Sequence, residues 1–338
     1  MKALALKYRP QTFNDVVCQD AIMQVLSSQL EFQDFKQGYL FCGGAGTGKT
    51  TTARIFGKEV NEGKGKIIEI DGASNNGVDN IRALIDDCKM KSLDSKYKVY
   101  IIDECHMLSI GAWNAFLKVL EEPPKGVIFI LCTTDPQKIP GTILSRVQRF
   151  DFQRIPADKI VARLEFILKS EQLDEYELDA LQYIAKLADG GMRDAITKLD
   201  TVLGYSDVVD VDSVLDCLGI SSYDSMTNLL NAIISQQGNV CLAEINDIYM
   251  SGKDLKLYVK DISKYILDLT KYYLTKSFDL TYIPQGNQQD ASKLAKKAGI
   301  DFLLDMLDSF NRLYQLIKYE HTPRAMIESE VLLLCLKS

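Results

Sequence analysis

Nowhere in this 338-residue chain is there an apolar run near the about 18 residues that a membrane-spanning helix needs. The opening stretch Met1-Lys2-Ala3-Leu4-Ala5-Leu6 is too short for the apolar region of a signal peptide. A soluble, cytoplasmic protein without a membrane partner is therefore expected. No C-x-x-C pair occurs either. The eight cysteines (Cys18, Cys42, Cys88, Cys105, Cys132, Cys217, Cys241 and Cys335) are scattered, several of them inside apolar runs. That is the pattern of small reduced core residues, and it indicates neither disulfides nor a zinc site. Positive charge is also scarce: 39 Lys and Arg against 46 Asp and Glu leave a formal net charge of −7, which argues against broad coating of nucleic acid. Any DNA contact must come from a local basic or helix-dipole surface, or from one created on assembly. Internal repeats and low-complexity tails are lacking. What is present is 46% apolar content, enough for real cores, over a length that suits two or three domains.

The residues Gly43-Gly44-Ala45-Gly46-Thr47-Gly48-Lys49-Thr50 form a complete phosphate-binding loop of the pattern G-x-x-x-x-G-K-[ST]. It follows the apolar run Tyr39-Leu40-Phe41-Cys42 and precedes the helix-forming Thr52-Ala53-Arg54-Ile55-Phe56, which is the strand-then-helix context the loop requires. Its glycines let successive backbone N–H groups turn inward around phosphate oxygens at a helix N-terminus. Lys49 is expected to reach the β- and γ-phosphates and the Thr50 hydroxyl to ligate Mg²⁺, with Thr51 beside them in the nucleotide site. The loop implies that the chain binds a nucleoside triphosphate.

Downstream, Val99-Tyr100-Ile101-Ile102 runs straight into Asp103-Glu104. Four apolar residues ending in two carboxylates read as a buried parallel strand whose carboxyl end opens onto the ligand crevice. Asp103 is expected to hold Mg²⁺ through water, and Glu104 to polarise the attacking water. His106, a lone histidine behind the acids, reads as a hydrogen-bonded structural residue and is given no chemistry.

The chain divides into three zones. In residues 1–153, strand-like runs (39–42, 67–71, 99–103, 127–132 and 149–152) alternate with helical patterns (49–60, 78–91 and 112–121), the signature of a doubly wound α/β parallel sheet. From 154 to 220 the strands vanish and amphipathic helices follow one another, with breaks at Pro156 and at Gly190-Gly191. From 221 to 338 the pattern is again helical, with three-and-four apolar spacing over 255–273 and 302–319. The segment Tyr282-Ile283-Pro284-Gln285-Gly286-Asn287-Gln288-Gln289 is the conspicuous polar loop.

Further stretches accompany the phosphate loop in fixed order: Tyr8-Arg9-Pro10-Gln11-Thr12-Phe13, Glu69-Ile70-Asp71-Gly72-Ala73-Ser74-Asn75, Val99 through Leu108, and Leu120-Glu121-Glu122-Pro123-Pro124. They continue with Thr133-Thr134-Asp135-Pro136-Gln137-Lys138-Ile139-Pro140, Ile143-Leu144-Ser145-Arg146 and Gly191-Met192-Arg193-Asp194-Ala195. Over nearly its whole length the chain thereby resembles the bacterial clamp-loader ATPase subunits, the gamma/tau family of the DNA polymerase III holoenzyme within the AAA+ class. The resemblance implies an AAA+ nucleotide-binding domain over 1–153, a helical lid over 154–220 and an all-α oligomerisation collar over 221–338.

It also implies roles for particular residues. Thr134 looks like sensor 1, a hydroxyl near the γ-phosphate, with Thr133 as the alternative. Arg193 looks like sensor 2, which carries the γ-phosphate state into the lid. Arg146 looks like an arginine finger that reaches the nucleotide of the adjacent subunit, where a guanidinium stabilises transition-state charge. Tyr8, Arg9 and Pro10, with Val16 and Val17, resemble the element packed against the adenine base. The same segment also reads as an ordinary cap carrying the helix signal Asn14/Asp15. Positions matching the family's DNA contacts are Asn75, Asn76, Arg82 and Lys118, where amide donors and a helix dipole can hold phosphate without sequence preference. Arg82 and Lys118 read equally as exposed helix cations.

Three departures stand out. Family members usually carry a four-cysteine zinc module after the phosphate-loop helix, whereas here Lys58-Glu59-Val60-Asn61-Glu62-Gly63-Lys64-Gly65-Lys66 bridges the gap, so no zinc is expected. The cysteine that follows the finger in the family is Val147. The chain also ends after the third zone, where tau carries a long extension, so a gamma-like product, a fragment or a compact, phage-type relative is expected. The expected function is that of an ATP-driven motor subunit of a sliding-clamp loader, with ATP and Mg²⁺ as cofactors. Its expected partners are the clamp, other loader subunits in a homomeric or mixed pentameric ring or spiral, and primer-template DNA. The alternatives are another AAA+ DNA motor of the branch-migration type and a structural loader subunit without turnover, against which the intact Lys49, Thr50, Asp103 and Glu104 argue.

Overall fold

The computed structural model describes residues 3–63, 67–90, 95–320 and 322–337. The chain forms two compact units, one of residues 1–170 and 188–197 and one of residues 171–187 and 198–338. The first unit is built on five parallel strands: β1 (Gly38–Cys42), β2 (Ile67–Asp71), β3 (Lys98–Asp103), β4 (Val127–Thr133) and β5 (Gln148–Asp151). Their order across the sheet is β2-β3-β4-β1-β5. Every residue of β1 and β4 is buried, as expected of central strands covered on both faces.

Seven helices, among the described residues, accompany the sheet. They are α1 (Leu4–Lys7), α2 (Asp20–Phe32), α3 (Lys49–Glu59), α4 (Val78–Lys89), α5 (Ile110–Glu121), α6 (Gly141–Leu144) and α7 (Ala157–Ser170). Alternation along the strands divides the core into two layers. Tyr39, Phe41, Val99, Ile101, Ile128 and Ile130 pack with Leu26 of α2 and Phe56 of α3. Leu40, Tyr100, Ile102, Phe129 and Leu131 pack with Ile81 of α4 and with Trp113 and Phe116 of α5. Aromatic edge contacts tie the first layer together, with Phe56 5.1 Å from Tyr39 and 6.0 Å from Phe35 between ring centroids.

The alternating pattern therefore marks the strands to within a residue. Helix α5 starts two residues before the run at 112–121, because Ser109 caps it by accepting the Ala112 N–H at 3.2 Å. Helix α4 ends at Lys89, and residue 91 of the 78–91 pattern lies outside the described residues. Beyond α3, Asn61 clamps the Tyr97 backbone through bonds of 2.9 and 3.0 Å, while Lys64, Gly65 and Lys66 of the short bridge lie outside the described residues.

The second unit is helical. It holds α8 (Leu178–Leu187), most of α9 (Met192–Tyr205), α10 (Val211–Cys217), α11 (Tyr223–Ile234), α12 (Gly238–Met250), α13 (Leu255–Thr275), α14 (Gln288–Ile317) and α15 (Pro323–Lys337). An isolated parallel bridge joins Tyr176 to Val209. Tyr258, Val259, Ile262, Tyr265, Ile266 and Leu269 form the buried stripe of α13, which packs along α14, where Leu303, Met306, Phe310, Leu313 and Ile317 are buried. Helical structure begins fourteen residues before the 302–319 pattern and is interrupted at Gly299, whose φ of 74° no other residue type adopts as cheaply. The polar segment 282–289 is not a plain loop: Gln285–Asn287 is a 3₁₀ turn, Gln288 and Gln289 open α14, and Ile283 is completely buried. The polar residues around Ile283 concealed its anchoring role. Among the described residues, no helix is long and apolar enough to cross a membrane.

Phe56 sits at the centre of the first layer with no exposure. Phe56→Ala should destabilise the first unit by about 3–5 kcal/mol through lost transfer energy and a residual cavity. A lowered urea midpoint in fluorescence-detected unfolding checks this, and an unchanged midpoint would contradict the packing described.

Candidate nucleotide site

The carboxyl ends of β1, β3 and β4 meet at one crevice, which is where a parallel sheet presents ligands. Strand β1 passes directly into the phosphate loop, and α3 starts at Lys49. The loop can turn so sharply because Gly46 and Gly48 adopt φ of 72° and 106°. At Gly46 space matters too: a Cβ would stand 3.2 Å from the Gly191 Cα and 3.3 Å from the Arg193 nitrogen. The Met192 N–H donates to the Gly46 carbonyl at 3.0 Å. This backbone contact brings the start of α9, and Arg193 with it, onto the loop.

Lys49 is buried, and its Nζ donates to the carbonyls of Gly43 at 2.9 Å and Gly44 at 2.7 Å. Burial lowers its pKa, while Glu104 and Asp103 act in the opposite direction. The Thr50 hydroxyl donates to Asp103 Oδ2 at 2.8 Å, joining the helix start to the end of β3. Glu104 leaves β3 in the left-handed region, with φ 45° and ψ 43°. Its Oε2 accepts from the Thr134 hydroxyl at 2.9 Å. Thr133, the alternative sensor, ends β4 and is completely buried; its Oγ1 accepts the Asp135 N–H at 3.0 Å. The sequence pattern therefore brings Lys49, Thr50, Asp103, Glu104 and Thr134 together.

A cavity of about 340 Å³ adjoins the loop, lined by Tyr8, Arg9, Pro10, Val16 and Val17 on one side and by Gly46 through Thr51 with Arg193 on the other. The Arg9 Nε donates to Thr51 Oγ1 at 3.0 Å. Burial and the neighbouring Arg54 and Arg193 lower the Arg9 pKa, although Glu69 and Asp103 oppose them. Arg54 is paired with Glu69, donating to both of its carboxylate oxygens, whereas Arg9 and Arg193 line the cavity, where their positive charge suits a polyanion. Asp15 accepts from the Thr12 N–H at 3.0 Å and the Thr12 hydroxyl at 2.9 Å, capping a single 3₁₀ turn, while Val16 and Val17 line the cavity. Arg163, which sequence reasoning did not single out, also lines the cavity and donates to the Tyr8 carbonyl at 3.0 Å. It lies on an amphipathic helix without a motif, so only packing reveals it.

The remaining candidates lie elsewhere on the first unit. Arg146 lines a separate hollow with Lys36, Gln37 and Gly38; its guanidinium donates to the Thr142 carbonyl at 2.7 Å and to Glu121 Oε1 at 2.8 Å. Arg82 and Lys118 share a groove of about 680 Å³ along α4 and α5, which Asp86 and Glu122 also line. Asn75 is turned back on Asp71, donating to its carbonyl from both backbone and side chain at 3.0 and 3.1 Å. The Asn76 carbonyl accepts the Ser109 N–H at 3.1 Å. Among the described residues there is no group of three or more Cys, His, Asp or Glu arranged to hold a metal ion by protein ligands alone.

Sheet order, phosphate loop and carboxylate pair define the class: an AAA+ P-loop fold followed by an all-helical part. Solved structures support this at the level of fold. The Thermotoga maritima RuvB Holliday junction branch migration motor superposes with a TM-score of 0.53 at 21% identity, over 67% of this chain and 79% of that one.

Sequence comparison narrows the class. Family profiles match in succession: "DNA polymerase III, delta subunit" over residues 66–156, "DNA polymerase III clamp loader subunit, ATPase lid domain" over 159–207, and "DNA polymerase III subunits gamma and tau domain III" over 209–336. DNA polymerase III subunit tau of Bacillus subtilis is 39% identical over 99% of this chain and 63% of its own length. The Escherichia coli tau subunit is 37% identical over 74% of this chain and 42% of its own length. The gamma subunit of Buchnera aphidicola from Acyrthosiphon pisum is 35% identical over 74% of this chain and 75% of its own length. The chain belongs to the DNA polymerase III gamma/tau family, whose members are clamp-loader subunits of DNA replication. It spans 63% and 42% of the two tau relatives.

Gly46 and Gly63 both have positive φ, 72° and 76°, but Gly46 is crowded, whereas among the described residues nothing lies within 4 Å of a Cβ at Gly63. Gly63→Ala should therefore cost about 1–2 kcal/mol from backbone strain alone, and Gly46→Ala measurably more. Thermal unfolding of the two variants checks the difference. Equal shifts would mean that the contact with Gly191 does not constrain the loop.

Proposed function

We propose that this chain is an ATP-driven motor subunit of a sliding-clamp loader. The observation that carries the reading is the joining of Lys49, Thr50, Asp103, Glu104 and Thr134 around one phosphate loop in a member of the gamma/tau family. In this reading ATP occupies the cavity, with its base against Tyr8, Arg9, Pro10, Val16 and Val17. The Lys49 ammonium exchanges the Gly43 and Gly44 carbonyls for phosphate oxygens. The Thr50 and Asp103 oxygens, 2.8 Å apart and both hard donors, suit Mg²⁺, directly for Thr50 and through water for Asp103. Bound there, Mg²⁺ neutralises charge on the β- and γ-phosphates. Glu104 orients the attacking water, and Thr134 and Arg193 contact the γ-phosphate. No zinc is required, since the scattered thiols supply no tetrahedral set.

Arg146 acts in trans, completing the nucleotide site of a neighbouring subunit. The functional parts are a nucleotide-binding domain over 1–153, a lid over 154–220 and a collar over 221–338 that holds a pentameric ring or spiral together. ATP binding holds the clamp open and admits primer-template DNA along Asn75, Asn76, Arg82 and Lys118, and hydrolysis releases the clamp onto DNA. Relatives 35–39% identical favour this over a branch-migration motor, for which the likeness at 21% identity speaks to the fold alone.

Two experiments test the reading. Lys49→Ala should abolish ATP binding, whereas Glu104→Gln should keep ATP binding and block turnover, because one change removes phosphate contacts and the other only the group that orients water. Parental hydrolysis by Glu104→Gln would refute the role of Glu104. The second experiment addresses the neighbour. Arg146→Ala should leave ATP affinity of the isolated subunit unchanged but reduce the clamp- and DNA-stimulated ATPase of the assembly, by about 10³-fold. In a homomeric ring, mixing Arg146→Ala with Lys49→Ala should restore some activity at interfaces that combine the intact halves. Mixed rings as inactive as either parent would end the trans assignment.

A further inference from the structure

His106 sits against the carboxylate to which the reading above assigns the water, and that reading gives it no part. Residues 105–107 form a 3₁₀ turn, closed by the Met107 N–H on the Glu104 carbonyl at 3.0 Å. The turn folds the imidazole back toward the strand ends, where its side chain is only 11% exposed. There Nδ1 lies 3.3 Å from Glu104 Oε2 and 3.2 Å from Thr133 Oγ1. The Thr133 hydroxyl oxygen already accepts the Asp135 N–H. It can still donate its own proton to Nδ1 or accept one from it, so Thr133 tolerates either tautomer of the ring. Glu104 does not: a carboxylate only accepts, and the approach of Nδ1 to Oε2 is favourable only when Nδ1 carries the proton.

The backbone makes such a grip useful. Glu104 adopts a left-handed conformation that costs a non-glycine residue about 1–2 kcal/mol. Two residues converge on the same oxygen, Thr134 at 2.9 Å from the end of β4 and His106 at 3.3 Å from the turn after β3. From this geometry we infer that His106 is a positioning residue for ATP hydrolysis. Its Nδ1, hydrogen-bonded to the buried Thr133 and 3.3 Å from Oε2, confines that oxygen of Glu104 by close polar approach, and Oε1 takes the proton of the attacking water. His106 touches neither nucleotide nor water. Its effect passes through Glu104, so the inference rests on the proposed role of that residue.

The test compares His106→Ala with His106→Asn, whose amide nitrogen occupies about the place of Nδ1, and with Glu104→Gln. Steady-state ATPase, ATP binding and the urea midpoint are measured for each in the assembled protein. His106→Ala should lower kcat by about tenfold with KM and ATP affinity nearly unchanged. His106→Asn should recover most of that loss. Parental kcat in His106→Ala, or a drop that His106→Asn shares, would overturn the inference. If Glu104→Gln itself turns over normally, the reading of the site fails and the role of His106 with it. If Glu104→Gln is inactive and His106→Ala is as fast as the parent, only the role of His106 fails.

Discussion

A lysine ammonium buried at the end of a parallel strand must be surrounded by oxygen, and the local structure of the first unit follows from meeting that demand at Lys49. The carbonyls of Gly43 and Gly44 meet it, which requires the chain to wrap around the ammonium before α3 begins. Wrapping that tightly brings Gly46 and Gly48 into the left-handed region and leaves the loop's surface open to the backbone of Gly191 through Arg193. The sheet provides the rigid frame. With β1 and β4 buried throughout, the loop has a fixed origin, and Asp103 at the end of β3 is held at hydrogen-bond distance from Thr50.

The same frame explains why the acidic side of the site is built from adjacent strand ends. β3 and β4 are neighbours, so residues leaving them emerge side by side and can share a carboxylate oxygen. Glu104 turns out of β3 against its backbone preference, and hydroxyl and imidazole groups meet it from β4 and from the following turn. A network of this kind has one arrangement that satisfies its members, which is how a surface carboxylate becomes a directed one.

Periodicity exposed the sheet because strands buried on both faces are continuous apolar runs, as in Val99-Tyr100-Ile101-Ile102, with few other ways to be accommodated. It was less informative where one helix changes environment along its length. The first half of α14, with Ala291, Leu294 and Ala295 buried, precedes the kink at Gly299 and lies within a polar stretch, so its stripe was hidden. Ile283 was hidden for the same reason. At the site, the phosphate loop and the two acids were legible because their chemistry needs those residue types at that spacing. Arg163 and the contacts of His106 were not, since neither a helical arginine nor a lone histidine carries a local signal of what it faces.

The amino-acid order by itself determined the strand–loop–helix unit at Gly43 through Thr50, the parallel sheet around it, the helical character of everything after residue 153, and the family. Those features depend on interactions between residues close in the chain or on the burial pattern of single elements. Only the tertiary structure decided that Thr134 rather than Thr133 contacts Glu104, that Arg82 and Lys118 share a groove, and that Arg146 lies in a hollow separate from the cavity beside the loop. These outcomes turn on which side chains from different elements meet, and sequence spacing does not record that.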